Sequence, residues 1–174
     1  MRVVALPGTS GAGWTDGELA SAVQTAIGAN SRVLSRGLRL VLEHAEVALF
    51  AKNGQYHGMN ELLEAVPASV LLLLDTANLF TSSEPPTPRK AEEFVRRHQG
   101  RVACVHLKSV RDGKPLDHLD GNPLAFSAVF DILAASGPQI VALELPLHDD
   151  AREVRSNMDA SLAYLLTEGI LDAP

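Results

Sequence analysis

The chain has 174 residues, 46% of them apolar, with 15 Lys and Arg against 21 Asp and Glu and a net charge of −6. That is the size and composition of one soluble globular domain with a sizeable core, and its negative charge disfavours a surface that holds nucleic acid through its phosphates. The single cysteine, Cys104, excludes an intrachain disulfide, no charged-then-apolar leader opens the chain, and no apolar run reaches the roughly 20 residues of a membrane helix, so a soluble protein of the reducing cytoplasm is expected.

In chain order, RVVALP at residues 2–7 reads as a short buried strand. GTSGAG at 8–13 follows it and precedes a helical pattern, but it lacks GxGxxG spacing. No phosphate loop ending in Gly-Lys-Ser/Thr occurs either, so a nucleotide site is disfavoured. Residues 16–35 predict a helix with Asp16 as N-cap and Leu19, Val23 and Ile27 at helical spacing. LRLVLE at 38–43 is a second strand, residues 59–66 a short helix ending before Pro67, and SVLLLLD at 69–75 a third strand. PRKAEEFVRRH at 88–98 predicts a helix with proline in its first turn and basic residues near its C-terminal end, where the helix dipole favours them. A fourth strand, RVACVHLK at 101–108, is followed by a helix over 123–136 that Gly137 and Pro138 stop, and by a fifth strand, QIVALELP at 139–146. A last helix over 149–167 carries Val154, Met158, Leu162 and Leu165 on one stripe.

The strands do not alternate polar with apolar residues, which predicts a parallel sheet buried on both faces. Repeated βα units fit two architectures, an open doubly wound sheet and a closed (β/α)8 barrel.

Four strands carry a polar residue at or near the C-terminal end: Glu43, Asp75, His106 and Glu144. In parallel βα architectures the ligand site forms at that end. Converging carboxylates repel one another, and beside an apolar core each is costly to desolvate unless something positive compensates. A divalent ion supplies the compensation. Three hard oxygen ligands and one imidazole suit Mn²⁺ or Mg²⁺, with Co²⁺, Fe²⁺ or Zn²⁺ as alternatives, and do not suit a thiolate-rich structural zinc site. Four protein ligands leave positions open on a six-coordinate ion, as catalysis requires. Taken singly, each residue has an ordinary reading as a helix cap, a solvated carboxylate or a satisfied core histidine. The recurrence at corresponding positions of successive strands is what points to a metal.

LVLEH at 40–44, LLDTAN at 73–78, VHLKSV at 105–110 and ALELP at 142–146 resemble the xylose isomerase-like TIM-barrel superfamily of sugar phosphate isomerases and epimerases, which also includes inosose dehydratases and an AP-endonuclease branch. The resemblance implies that Glu43, Asp75, His106 and Glu144 together bind one divalent metal. It covers residues 37–167 best. GKPLDHLDGNPLAF at 113–126 looks like the family's variable loop, with a short seventh strand expected near residues 115–119. A complete barrel needs roughly 250 residues. The expected fold is therefore an α/β TIM (β/α)8-type barrel that is incomplete, with about strands three to eight present. Residues 1–174 would form one such domain lacking the first two βα units. Strand edges left open in this way invite association, so a homo-oligomer or a partner that completes the barrel is expected, with RVVALP buried in the contact.

The mechanism implied by the resemblance is isomerisation or epimerisation of a small carbohydrate by proton transfer through a metal-stabilised enediolate. Glu43 and Glu144 would act as base and acid while touching the metal, and Asp75 and His106 would be ligands only. Lys108 and Arg111 would meet a substrate hydroxyl or phosphate. Asn78 stands where many relatives carry a histidine, which argues against the multinuclear site of the endonuclease branch. Trp14, after the glycine-rich turn, is placed either to stack on a sugar ring or to cap the following helix. His44 either faces the pocket or packs behind it, and His118 does not match the Asp-x-His of the endonuclease loop, because Asp117 precedes it directly. Cys104 reads as a small core residue. Two rival readings remain: an AP-endonuclease-type phosphodiesterase, which calls for a basic groove and several metal-binding histidines, and a vestigial or partner-dependent half-barrel without catalysis.

Overall fold

A computed structural model describes residues 13–43, 57–81, 87–121, 126–134, 140–146 and 148–171. RVVALP and His44 lie outside them. Four strands, β1 (Val41–Glu43), β2 (Leu71–Asp75), β3 (Val102–Leu107) and β6 (Ile140–Leu143), form one parallel sheet in the order β1-β2-β3-β6. They fall inside four of the five strands expected from the sequence. Helices α1 (Asp16–Leu34), α2 (Met59–Ala65), α4 (Pro88–His98), α5 (Phe126–Ala134) and α6 (Ala151–Thr167) match the helical patterns, and a one-turn helix α3 (Asn78–Thr81) adds to them.

Local chemistry fixes where these elements start. Helix α1 is capped by Thr15 rather than Asp16: the Thr15 side chain accepts from the Glu18 N–H, and the Glu18 carboxylate accepts from the Thr15 N–H at 2.8 Å. This reciprocal capping needs Ser or Thr three residues before Glu or Gln. The buried line of α1 runs through Ala22, Ala26 and Ala29, with Leu19 and Val23 flanking it half-buried. Alanines let the helix approach the core more closely than the larger residues beside them could. At the end of α2 the Arg101 guanidinium donates to the carbonyls of Leu63, Val66, Pro67 and Val70, satisfying backbone acceptors around the helix terminus and locking the entry to β2.

One face of the sheet is covered. Leu42, Leu72, Leu74, Val105 and Leu107 are buried there in one core with Met59, Leu62 and Leu63 of α2, Phe94 and Val95 of α4, and Val129, Ile132 and Leu133 of α5. The other face holds Val41, Glu43, Leu73, Cys104, His106 and Ala142, which are half-buried or exposed. The expectation of burial on both faces therefore holds on the helix side of β1, β2 and β3 only, since Val141 of β6, in register with Val105, is 44% exposed. The open face is the one that a closed barrel turns inward, and the fold is an α/β parallel sheet of incomplete-barrel type.

The seventh strand expected near residues 115–119 is not in this sheet. Lys114–Pro115 (β5) pairs antiparallel with Val110–Arg111 (β4), and β3 pairs directly with β6. The turn between β4 and β5 sets Asp112 at φ 52° and Gly113 at φ 74°. An Asp-Gly pair with both residues left-handed is the two-residue hairpin turn whose twist matches its strands. That dipeptide was the signal in the sequence for this hairpin. The apolar stripe expected on α6 is only partly buried: Leu165 is 5% exposed, whereas Met158 is 46% and Leu162 43% exposed.

Candidate metal centre

The C-terminal ends of β1, β2 and β3 bring Glu43, Asp75 and His106 together. One ligand atom from each lies within 4.8 Å of the others. Asp75 and His106 are register partners in the β2–β3 ladder, and Glu43 pairs in register with Leu73 two residues before Asp75. Because β3 pairs with β6 and the Glu144 N–H donates to Leu107 O at 3.2 Å, the ladder also carries Glu144 to the same mouth.

Asp75 is completely buried. Its Oδ1 accepts from the N–H groups of Ala77 at 2.8 Å and Asn78 at 3.0 Å, so the first turn of α3 fixes the carboxylate. Its other oxygen, Oδ2, is left to face the mouth, 3.0 Å from Lys108 Nζ. Lys108 Nζ also lies 2.8 Å from Glu144 Oε1, and His106 Nδ1 lies 2.5 Å from Glu144 Oε2. The ends of β2 and β3 are stapled by Thr76. Its N–H donates to His106 O at 3.0 Å, its hydroxyl accepts from the Lys108 N–H at 2.8 Å, and the hydroxyl donates to Lys108 O at 2.7 Å.

Asp75 Oδ2, His106 Nδ1 and Glu144 Oε2 are all buried without a partner in hydrogen-bonding geometry, although each stands close to an opposite or polar group. Buried polar atoms ordinarily find such partners. Three that do not, on residues meeting at one mouth, suit a cation held by direct coordination. The donor set fits a hard or borderline divalent ion: Glu43, Asp75 and His106 could hold it, and Glu144 stands beside them against His106 and Lys108. Burial pushes the Lys108 ammonium down, but the Glu144 and Asp75 carboxylates outweigh it and hold its pKa above the usual lysine value. Cys104, two residues before His106 on the same face, has its thiol pushed up by burial and by the Glu43 carboxylate, so it stays protonated and is a poor ligand.

A cleft of about 170 Å³ adjoins this mouth, lined by Lys108, Pro115, Leu116, Glu144, Leu145 and Pro146. The β4–β5 hairpin forms one wall, tied down where Leu116 N–H donates to Ser109 O and Asp120 N–H to Ser109 Oγ.

The remaining expected site residues separate into two groups. Lys108 is in the centre. Asn78 is adjacent, and it is its backbone N–H that holds Asp75. Arg111 points elsewhere, its guanidinium paired with Asp120 on the exposed hairpin. Trp14 is a correction: it is 0% exposed in the core, with its backbone paired to His57, so its ring has no face for a sugar, and the helix cap beside it is Thr15. His118 stands outside the convergent group. Sequence reasoning missed the contribution of Thr76, whose hydroxyl within LLDTAN is the recognisable signal.

No family model matches the chain, and no curated protein matches it by sequence. Solved structures do. A sugar phosphate isomerase/epimerase from Parabacteroides distasonis superposes with TM-score 0.62 at 16% identity, over 92% of this chain and 55% of its own. A xylose isomerase-like TIM barrel protein from Mycobacterium smegmatis, in complex with magnesium, gives TM-score 0.61 at 16% identity over 90% and 53%. An AP endonuclease, family 2, from Brucella melitensis gives 0.53 at 16% over 86% and 54%. The chain thus has the fold of the xylose isomerase-like TIM barrels. It spans about half the length of these structures.

Proposed function

We propose that the chain is a divalent-metal-dependent isomerase or epimerase of a small sugar or sugar phosphate. The observation that carries this reading is the meeting of Glu43, Asp75 and His106 at adjacent strand ends, with Glu144 alongside. The fold shared with a sugar phosphate isomerase/epimerase supports the reaction class, and a magnesium complex of the same fold supports Mg²⁺ or Mn²⁺ as the ion.

A divalent ion bound by Glu43, Asp75 and His106 would act as a Lewis acid on substrate oxygen and acidify the neighbouring carbon-bound proton. The chain's own residues do the rest. Glu43 and Glu144 enter from opposite ends of the row of strands, so one carboxylate can take a proton from a bound carbon and the other can return one. Asp75, locked by the Ala77 and Asn78 amides, is held in a fixed position at the base of the site. Pro115, Leu116, Leu145 and Pro146 give the adjoining cleft an apolar wall.

An endonuclease role fits less well. The net charge is −6, and His106 is the single histidine in the convergent group of described residues. The test is a Mn²⁺ titration of the full chain and of Asp75→Ala, followed by incubation of ketoses and ketose phosphates in D₂O. Deuterium entering the carbon beside the carbonyl in a Mn²⁺-dependent way is expected. Metal binding without exchange on any such sugar would overturn the activity.

A further inference from the structure

We propose that Lys108 is a resident cation that competes with the divalent ion for its own site. The inference rests on the metal reading above and concerns what the ion must displace.

The Lys108 ammonium stands 3.0 Å from Asp75 Oδ2 and 2.8 Å from Glu144 Oε1. The first of these is the oxygen that the Ala77 and Asn78 amides leave over for a ligand. Without a metal, the carboxylates of Glu43, Asp75 and Glu144 face one mouth, and the ammonium is the cation that bridges two of them. A divalent ion on Asp75 Oδ2 would stand within a few ångströms of that ammonium, a separation at which like charges repel strongly in a partly buried site. Each therefore weakens the other's hold on that oxygen.

The lysine is built to yield. Its backbone is held rigidly by the Thr76 hydroxyl, so strand and ligands stay in place while the side chain moves. Its four-carbon stem is flexible, its side chain is 21% exposed, and it lines the adjoining cleft. The chain thus carries a charge that would offset its carboxylates before metal binds and raise the metal concentration needed for binding.

The experiment is a Mn²⁺ titration, read by the paramagnetic resonance of free Mn²⁺, on the full chain and on Lys108→Met, Lys108→Gln and Lys108→Arg, with Asp75→Ala as the blank. Both neutral variants should bind Mn²⁺ at least about tenfold more tightly than the wild type, within the usual range of coupling between two sites, and Lys108→Arg should not gain. Melting curves give a second readout: the metal-free neutral variants melt below the wild type, and Mn²⁺ raises their Tm by more. Lys108→Gln keeps a polar side chain in case the methionine variant does not fold. If the neutral variants bind Mn²⁺ no more tightly than the wild type while Asp75→Ala still abolishes binding, the competition is overturned and the metal site stands. If no variant binds Mn²⁺, both fall together.

Discussion

Asp75 and His106 face each other across the β2–β3 ladder, and the residue after Asp75 closes the pair by donating its N–H to His106 O at 3.0 Å. The two side chains are therefore set by backbone register, not by each other. Each can be changed without dismantling the sheet that presents it.

Asp75→Asn keeps an oxygen for the Ala77 and Asn78 amides and removes the charge. The variant should fold, by circular dichroism, and lose Mn²⁺ affinity by more than about 100-fold, beyond the range that supporting residues around a metal usually carry. Affinity within threefold of the wild type would remove Asp75 from the ligand set.

Thr76→Val deletes a hydroxyl that both accepts from and donates to Lys108. It leaves a backbone donor and acceptor without their partner, which costs about 1–3 kcal/mol in urea unfolding, and it should weaken Mn²⁺ binding by about 10–100-fold through loosened strand ends. Thr76→Ser should restore both, whereas equal loss in the serine variant would assign the effect to the methyl group.

His98 is buried against Asn60, its Nε2 at 3.0 Å from Oδ1, and stacks at a tilt on Phe94. Burial, then the charges of Arg101 and Arg97, hold its pKa below the ordinary 6.5 against an opposing pull from Glu64. The unfolded chain binds this proton more readily, so stability is full above pH 6.5 and is lost as pH falls from there towards the folded-state pKa, by up to about 1.4 kcal/mol per pH unit. Unfolding curves from pH 5 to 7 on wild type and His98→Gln should show that slope in the wild type alone; parallel curves would exclude His98 as its source.

Among the described residues, β1 and β6 each have one strand neighbour, and Ile140 is 67% exposed on β6. Sheet edges left without a neighbouring strand can pair with other chains. We expect the protein to associate, and Ile140→Lys to shift it towards monomer in light scattering. A wild type that stays monomeric at high concentration would count against association.

Glu43, Asp75, His106 and Glu144 were legible in the sequence because a charged or imidazole residue ending an aliphatic run has few purely structural uses, and the same pattern recurs on successive strands. The longer helices were legible from their apolar spacing and from their prolines and glycines, although the cap of α1 is Thr15 and not Asp16. What lay beyond reach depended on packing. The Asp112–Gly113 turn competes with any strand reading of 115–119, and local turn chemistry prevails there. Trp14 follows glycines, as a ligand-facing residue often does, yet the core took the ring because it is the largest apolar group available. The ion pairs of Lys108 join residues from three strand ends, and no spacing along the chain encodes that meeting.

The β4–β5 hairpin contributes no rung to the four-stranded sheet, but it supplies a wall of the cleft beside Glu144. The sheet and the cleft wall are thus written in separate stretches of chain. On the proposed reading, changes within residues 112–116 would reshape that wall while the row of strand ends that would hold the ion carries over unchanged, which would make the hairpin the natural place for a new preference to arise.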